Sequence, residues 1–501
     1  MVKEDAIRNV FLAIIFAISG FFGIANGSYL IAPMYILTVA VVVLFVLRDK
    51  DLYNMLYAVL LVSVFYDYAL YVPKMENVYM FHIVLGFFTL LTLYKVFKDK
   101  DILMKLDKKV LIIYAIWFIY MCVSVVWALN KSLSIKYIAI YLMMFAFIIN
   151  MMIYNINKER IKKTINILLF LISMIIVIGS IEVLLGQQLP IKHYYDSFKE
   201  SLAPISLNTI EAWPIVFSFN TNNLAAAIAI LLPICFYSIY KFDKIIFKIW
   251  FTLVSCLGFS LVVITTSRTG SLATLLGFVV YIIYSIINYK KLGIKQIIFP
   301  LIILFGFVLA YRFSYMVVKI KPVNNTQVEK YNGLSNKMQS LEGMEEIEVG
   351  GKGSINVRGT IIKDVLNGVI IKEKKLLGYG VGNVEQFIKN QGNTETVYSP
   401  HCYPIEILGD FGLPGIALFG VYYLYLLIGN LMLGIKKKSI MCFAAVAGLI
   451  AFAPASFGPS SITYVFSYWI LIGFSVSCMQ VYRNEDNEYR KTSSMKEYKI
   501  S

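Results

Sequence analysis

Fourteen stretches of roughly 20 residues, each almost wholly apolar, follow one another along the chain, and no other feature constrains its fold so strongly. They lie at about 10–26, 30–47, 53–72, 78–97, 110–129, 136–154, 163–186, 222–240, 246–265, 268–287, 295–318, 411–434, 439–457 and 461–481. A hydrocarbon core of ~30 Å needs ~20 apolar residues per helix, with shorter spans accommodated by tilt or burial in the bundle. A 501-residue chain that is 59% hydrophobic and 15% charged has more apolar surface than a soluble globule can hide. The expected fold is an all-α polytopic integral membrane protein of about 12–14 transmembrane helices with a large, partly helical extracellular loop.

The connections orient the bundle. The formal charge of +16 would point to nucleic acid in a soluble protein. Here the basic residues concentrate in alternate connections, from Arg48-Asp49-Lys50 through Lys158 to Lys163 and on to Lys436-Lys437-Lys438. That is the positive-inside pattern, so the charge is mainly a topology signal and no nucleic-acid partner is expected. Both termini are predicted cytoplasmic. The first apolar run has no convincing cleavage site and is read as a retained span. Of the six cysteines, only Cys402 lies near a polar loop, which leaves no disulfide framework and no zinc spacing.

Two outer segments are too long to be simple turns, 187–221 and 319–400. The organisation read from these breaks is 1–186, N-terminal helices; 187–318, core helices; 319–410, the large outer loop; 411–482, C-terminal helices; and 483–501, a disordered cytoplasmic tail. The first half of the large loop, rich in Asn, Gly and Glu around Asn324 to Gly351, reads as a solvated linker. Its second half carries Ile361, Ile362, Val365, Leu366, Val369 and Ile370 at helical spacing, and Arg358 is placed on that apolar stripe. Either a snorkelling helix-end arginine or a functional one fits that position. Ionisable groups in apolar spans are costly, and Asp67, His82, Glu182, Arg268 and Arg312 all fall at the outer face. Taken singly, Asp67, His82, Glu182 and Arg312 read first as interfacial anchors or structural ion pairs; the common depth of all five predicts a shared polar cavity opening outward.

Phosphate-loop and zinc-protease motifs are absent. A reaction at the outer face also lacks ATP, so its substrate must arrive activated, as a lipid-linked sugar diphosphate does. Arg268 and Arg358 could grip the diphosphate while His401 takes a proton from an attacking hydroxyl.

The chain resembles the O-antigen ligase and polymerase superfamily of bacterial envelope glycan enzymes. The matching residues are Asn220-Thr221-Asn222-Asn223-Leu224-Ala225, Ser267-Arg268-Thr269-Gly270, Arg358 ahead of Leu377-Gly378-Tyr379-Gly380-Val381-Gly382-Asn383, and His401-Cys402-Tyr403 before Gly409-Asp410-Phe411-Gly412-Leu413-Pro414-Gly415. They cover roughly Asn220 to Gly434. Upstream, Trp127 to Leu133 also looks similar. The resemblance implies a GT-C-like membrane glycosyltransferase at the bacterial cytoplasmic membrane, with Arg268 and Arg358 binding diphosphate and His401 activating the acceptor. It further implies inversion at the anomeric carbon and no metal or nucleotide cofactor. Asn220, Asn222, Asn223, Glu406 and Asp410 are the expected substrate contacts, although capping the start of the eighth span is the preferred reading for the asparagines. Cys402 and Asp410 depart from the family's usual Asn or Ser and Glu. The implied donor is a polyprenyl-diphosphate-linked glycan and the acceptor a second glycan, with a flippase and a chain-length regulator as further partners. The expected activity is that of a polysaccharide polymerase; the alternatives are a ligase and, from a different class, a lipid-glycan flippase or transporter, which would carry charges nearer the bilayer midplane.

Overall fold

The computed structural model describes residues 2–49, 51–196, 199–202, 204–319, 348–351, 354–394 and 396–498. The linker expected around Asn324 to Glu346 lies outside them. All fourteen apolar runs fall on helices: α1 (Val2–Ala25), α2 (Ile31–Val41, prolonged by a π-turn to Leu47), α3 (Leu52–Phe65), α4 (Met80–Lys98), α5 (Lys108–Ser124), α6 (Lys131–Tyr154), α7 (Lys158–Leu185), α8 (Thr221–Lys241), α9 (Ile245–Ile264), α10 (Arg268–Ile287), α11 (Ile298–Phe313), α14 (Tyr403–Lys437), α15 (Ile440–Ala455) and α16 (Phe466–Tyr498). The large loop adds α12 (Ser354–Leu366) and α13 (Val384–Gln391). Seven of these helices are long and apolar enough to cross a membrane, and five shorter apolar ones accompany them. The chain is a multi-span, all-α membrane protein.

Local chemistry sets the helix starts. Asp51, Asp107, Asn130, Asn157, Asn220, Ser267 and Ser439 each accept a backbone N–H at the first turn of their helix, satisfying donors that lipid or packing would otherwise strand. α8 is the most enclosed of the long helices, with 89% of its apolar stretch buried, and it packs against α9, α10 and α15.

Two elements depart from the sequence reading. The third span, expected to reach residue 72, stops at Phe65 and gives way to a hairpin of β1 (Tyr71–Val72) and β2 (Met75–Tyr79), which turns at Pro73 and the left-handed Lys74. Asp67, at φ 32°, already lies off the helical path. At the other end, the tail expected to be disordered continues α16 to Tyr498. Glu485, Glu488, Arg490 and Lys491 are good helix formers, so propensity prolongs the helix beyond its apolar stretch.

The segment between α11 and α14 builds a core of its own. Val357, Ile361, Val365 and Val369 pack with Tyr379, Val384, Phe387 and Ile388, and Leu408 of α14 joins them. Arg358 is half-buried on the flank of this stripe and not within it, because the burial line runs through 357, 361 and 365. Beneath lies the glycine run. Gly378, Gly380 and Gly382 all have positive φ, and a Cβ on Gly380 or Gly382 would stand 2.6 Å from Ala128 or 2.3 Å from the Tyr137 ring. The run is anchored from both sides: Tyr379 N donates to Gly409 O, and Leu129 N donates to Tyr379 O. Asn383 completes the join, accepting from Asn130 N at 2.6 Å and donating to Ser134 Oγ at 2.7 Å.

Candidate active site

A short turn between α15 and α16, Ser456 to Ser461, collects the residues of interest. Its backbone carbonyls are the acceptors. Arg358 Nη1 donates to Phe457 O at 3.3 Å, and His401 N donates to Ser460 O at 3.2 Å. The His401 ring meets Gly458 O through Nδ1 at 3.4 Å, and Tyr403 N donates to Ser456 O at 3.3 Å. Two further helix starts press on the same turn: a Cβ on Gly458 would lie 3.0 Å from Thr269 Oγ1 and 3.8 Å from Asn222 Cβ. Residues from α8, α10, α12 and the entry to α14 therefore converge on six residues that no sequence motif marks.

Arg268 is the first residue of α10, placed by the Ser267 cap and the left-handed Thr266 before it (φ 58°). It stands near enough to Arg358 that, after burial, its charge is the cause that lowers the Arg358 pKa. His401 also occupies the left-handed region, at φ 51° between Pro400 and Cys402. Such strain costs on the order of 1–3 kcal/mol and persists only where surrounding contacts impose it. Burial first, and then the Arg358 guanidinium, push the His401 pKa down to about 4, against the opposing hydrogen bonds to Gly458 and Pro459. The ring is thus neutral at physiological pH. A carbonyl can only accept, so Nδ1 carries the proton and Nε2 keeps its lone pair.

The remaining expected contacts are distributed differently. Asp410 is fully buried, and its carboxylate accepts from Gly382 N and Val384 N at 2.8 Å each. Glu406 accepts from Ser461 Oγ at 2.6 Å and Thr463 Oγ1 at 3.1 Å. Neither presents surface to a sugar. Asp410 clamps the glycine run, and Glu406, whose Oε2 is unpartnered among the described residues, clamps the far end of the turn. Asn220 caps α8 through Asn223 N at 2.9 Å, and only Asn222 of the three faces the turn. Asn223 is buried and its Oδ1, unpartnered among the described residues, lines a cavity of about 40 Å³ with Asp67 and Ser467.

The residues expected to share one cavity are used separately: His82 lines one cavity and Asp67 another. Glu182 accepts from Leu189, Ile215 and Val216 N–H groups and ties down the loop after α7. His82 accepts from Tyr79 N in a capping box, and Arg312 is exposed. Depth fixes how far along a helix a charge sits but not which face carries it. Among the described residues, no three His, Cys, Asp or Glu side chains form a metal-holding group.

Residues 252–420 match the family model described as O-antigen ligase, a segment that contains Arg268, Arg358 and His401 and passes through Gly412. No curated protein matches the chain significantly.

Proposed function

Since residues 252–420 match the O-antigen ligase family model, we propose that the chain is a polysaccharide polymerase of the bacterial cytoplasmic membrane. It moves glycan from a polyprenyl diphosphate carrier to a hydroxyl of an acceptor glycan at the outer face. One observation carries this reading. Arg358 lies close enough to Arg268 that this neighbour's charge, after burial, lowers its pKa, and both stand beside a His401 whose own pKa is depressed. Like charges held together in partial burial are costly until an anion arrives. A diphosphate supplies two phosphates to two planar guanidinium forks.

In the reaction the acceptor oxygen attacks the anomeric carbon while its proton passes to Nε2 of His401. The bond from that carbon to the carrier oxygen breaks, and its electron pair leaves on the polyprenyl diphosphate. Arg268 and Arg358 stabilise the leaving charge, and attack from the opposite face inverts the anomeric centre. The scheme requires neither metal nor nucleotide, since the arginines balance the charge. Donor binding also offsets Arg358, one of the causes that hold His401 low, and so raises the base towards the pH at which it works. A flippase that delivers the carrier-linked unit and a chain-length regulator are the expected partners.

Purified protein in nanodiscs, given synthetic polyprenyl-diphosphate-linked repeat unit and a chelator, separates the readings. Polymerase activity lengthens the glycan and releases polyprenyl diphosphate. Attachment of glycan to an added lipid or wall acceptor without lengthening would make the protein a ligase. Translocation of intact donor in sealed vesicles, with no bond cleaved, would overturn the enzyme assignment.

A further inference from the structure

A second cavity, of about 490 Å³, opens beside the turn that carries the proposed catalytic residues. Half-buried rings contribute to its wall, among them Tyr68, Tyr71, Phe219, Tyr464 and the imidazole of His82. Two exposed lysines, Lys136 of α6 and Lys192 of the loop after α7, line it as well. Among its lining residues there is no Asp or Glu. The volume lies within the ~300–1,000 Å³ of small-molecule sites, and the mixture of apolar faces with a few polar groups is the composition such sites use.

The cavity is chained to the catalytic turn at both flanks. Phe219 directly precedes Asn220, the cap of α8, and Asn222 of that first turn faces Gly458, on whose carbonyl His401 rests. Tyr464 ends the 3₁₀ turn Ile462–Tyr464, whose Thr463 is held with Ser461 by Glu406. Tyr68 is fixed against Phe219 at 5.1 Å between ring centroids, and its backbone N–H donates to Phe217 O. The rings are thus preset, so ordering them on binding costs little.

We infer that this cavity is the acceptor subsite and that it takes an anionic glycan, one bearing uronate or phosphate groups, with pyranose faces against the tyrosine and phenylalanine rings and the acid groups against Lys136 and Lys192. Aromatic rings supply large apolar faces with polar edges, which suits a sugar whose faces are apolar and whose rim is hydroxylated. Lysine supplies a point charge on a flexible stem, matching acid groups whose position varies along a polymer. Glu385 approaches Lys136 from α13, outside the lining, and the lysine's positive charge lowers its pKa against the larger upward push of burial. An acidic acceptor therefore competes with Glu385 for one of the two lysines. The second, Lys192, is on a separate segment.

This inference rests on the glycosyltransferase reading, and binding measurements separate the two. The full chain in phosphatidylcholine nanodiscs is titrated with a glucuronate-containing disaccharide, with its neutral glucose counterpart, and with a non-cleavable polyprenyl phosphonophosphate-linked saccharide as donor analogue. The acidic disaccharide is expected to bind about tenfold more tightly than the neutral one, a preference that shrinks with added salt. The double variant Lys136→Gln, Lys192→Gln should erase the preference while leaving neutral-disaccharide and donor-analogue binding unchanged, which also shows that it is folded. Tyr71→Ala should weaken both disaccharides about tenfold. Equal binding of the two disaccharides, a preference that survives in the double variant, or displacement only by phosphatidylglycerol added to the nanodisc would overturn the acceptor site. Donor-analogue binding that ignores Arg268→Lys and Arg358→Lys would instead count against the proposed function.

Discussion

Arg358 and His401 hang from adjacent carbonyls of one turn, the guanidinium on Phe457 O at 3.3 Å and the imidazole on Gly458 O at 3.4 Å. A one-peptide spacing ties the diphosphate ligand proposed for the first to the proton acceptor proposed for the second. Any displacement of the turn moves both.

The first prediction is a pH profile. Protonated His401 has no lone pair for the acceptor's proton, so kcat/KM should fall as pH drops through about 4 and stay level above it. Arg358→Gln removes one of the two causes of the depression, and the acid limb of the residual activity should move up towards the ~6.5 of an ordinary histidine. If the wild-type limb lies near 6.5 and does not respond to Arg358→Gln, the coupling between the two side chains is absent. His401→Ala should insert normally and accumulate single lipid-linked repeat units, with turnover lower by ~10²–10⁴.

Arginine should resist conservative replacement at both positions. Lysine keeps the charge of residue 268 or 358 but not the planar fork, so each variant should lose ~10²–10³ in turnover at normal expression. Rates per molecule in nanodiscs, compared with melting temperature, check this. Near-normal polymer from both variants would reject the diphosphate clamp.

Asp410 should behave as a structural residue. Its carboxylate satisfies two backbone donors of the glycine run with no exposure of its own, and hydrogen bonds to a charged group contribute about 1.5–3 kcal/mol each. Asp410→Ala is expected to lower the melting temperature and open residues 378–384 to proteolysis. Donor binding should weaken only in proportion to unfolded protein. Gly382→Ala, which drives a Cβ to 2.3 Å from the Tyr137 ring, should share the same phenotype.

Gly458 offers the opposite test. It needs no positive φ, and a Cβ there meets Thr269 Oγ1 at 3.0 Å, a contact that a small shift relieves. Gly458→Ala should therefore fold well yet shift the carbonyls that hold Arg358 and His401. Misplacement by about 1 Å can cost on the order of 10²-fold in rate. Wild-type turnover in this variant would show that the turn does not position the pair.

Orientation is checked separately. Lys437 is predicted to face the cytoplasm and Gly351 the outside. With cysteine introduced at each position in an otherwise cysteine-free chain, an impermeant thiol reagent on intact cells should label residue 351 alone. The reverse pattern would invert the whole scheme.

Much of this was readable from side chains that announce themselves. Asn130, Asn220 and Ser267 precede apolar periods and do cap α6, α8 and α10. Gly378, Gly380 and Gly382 occupy backbone conformations that glycine makes easy, and Trp127 to Asn130 proves to be the surface they rest on. What stayed hidden was the Ser456 to Ser461 turn. It works through carbonyls, which every residue possesses, so its role leaves no mark beyond an ordinary Gly458-Pro459 pair. The part played by Asp410 and Glu406 stayed hidden for a related reason. A carboxylate near a site can face a ligand or the backbone, and only the fold decides which.

The order in which the chain is made bears on the same turn. Residues 456–461 leave the ribosome after Arg268, Arg358 and His401, and after most of the membrane-spanning helices have entered the translocation machinery. A nascent or prematurely terminated chain holds both arginines and the histidine but lacks the carbonyls on which Arg358 and His401 are hung. The proposed site is complete only once residues 456–461 have been made. On the proposed mechanism, half-made protein is therefore expected to be inert towards the lipid-linked donor.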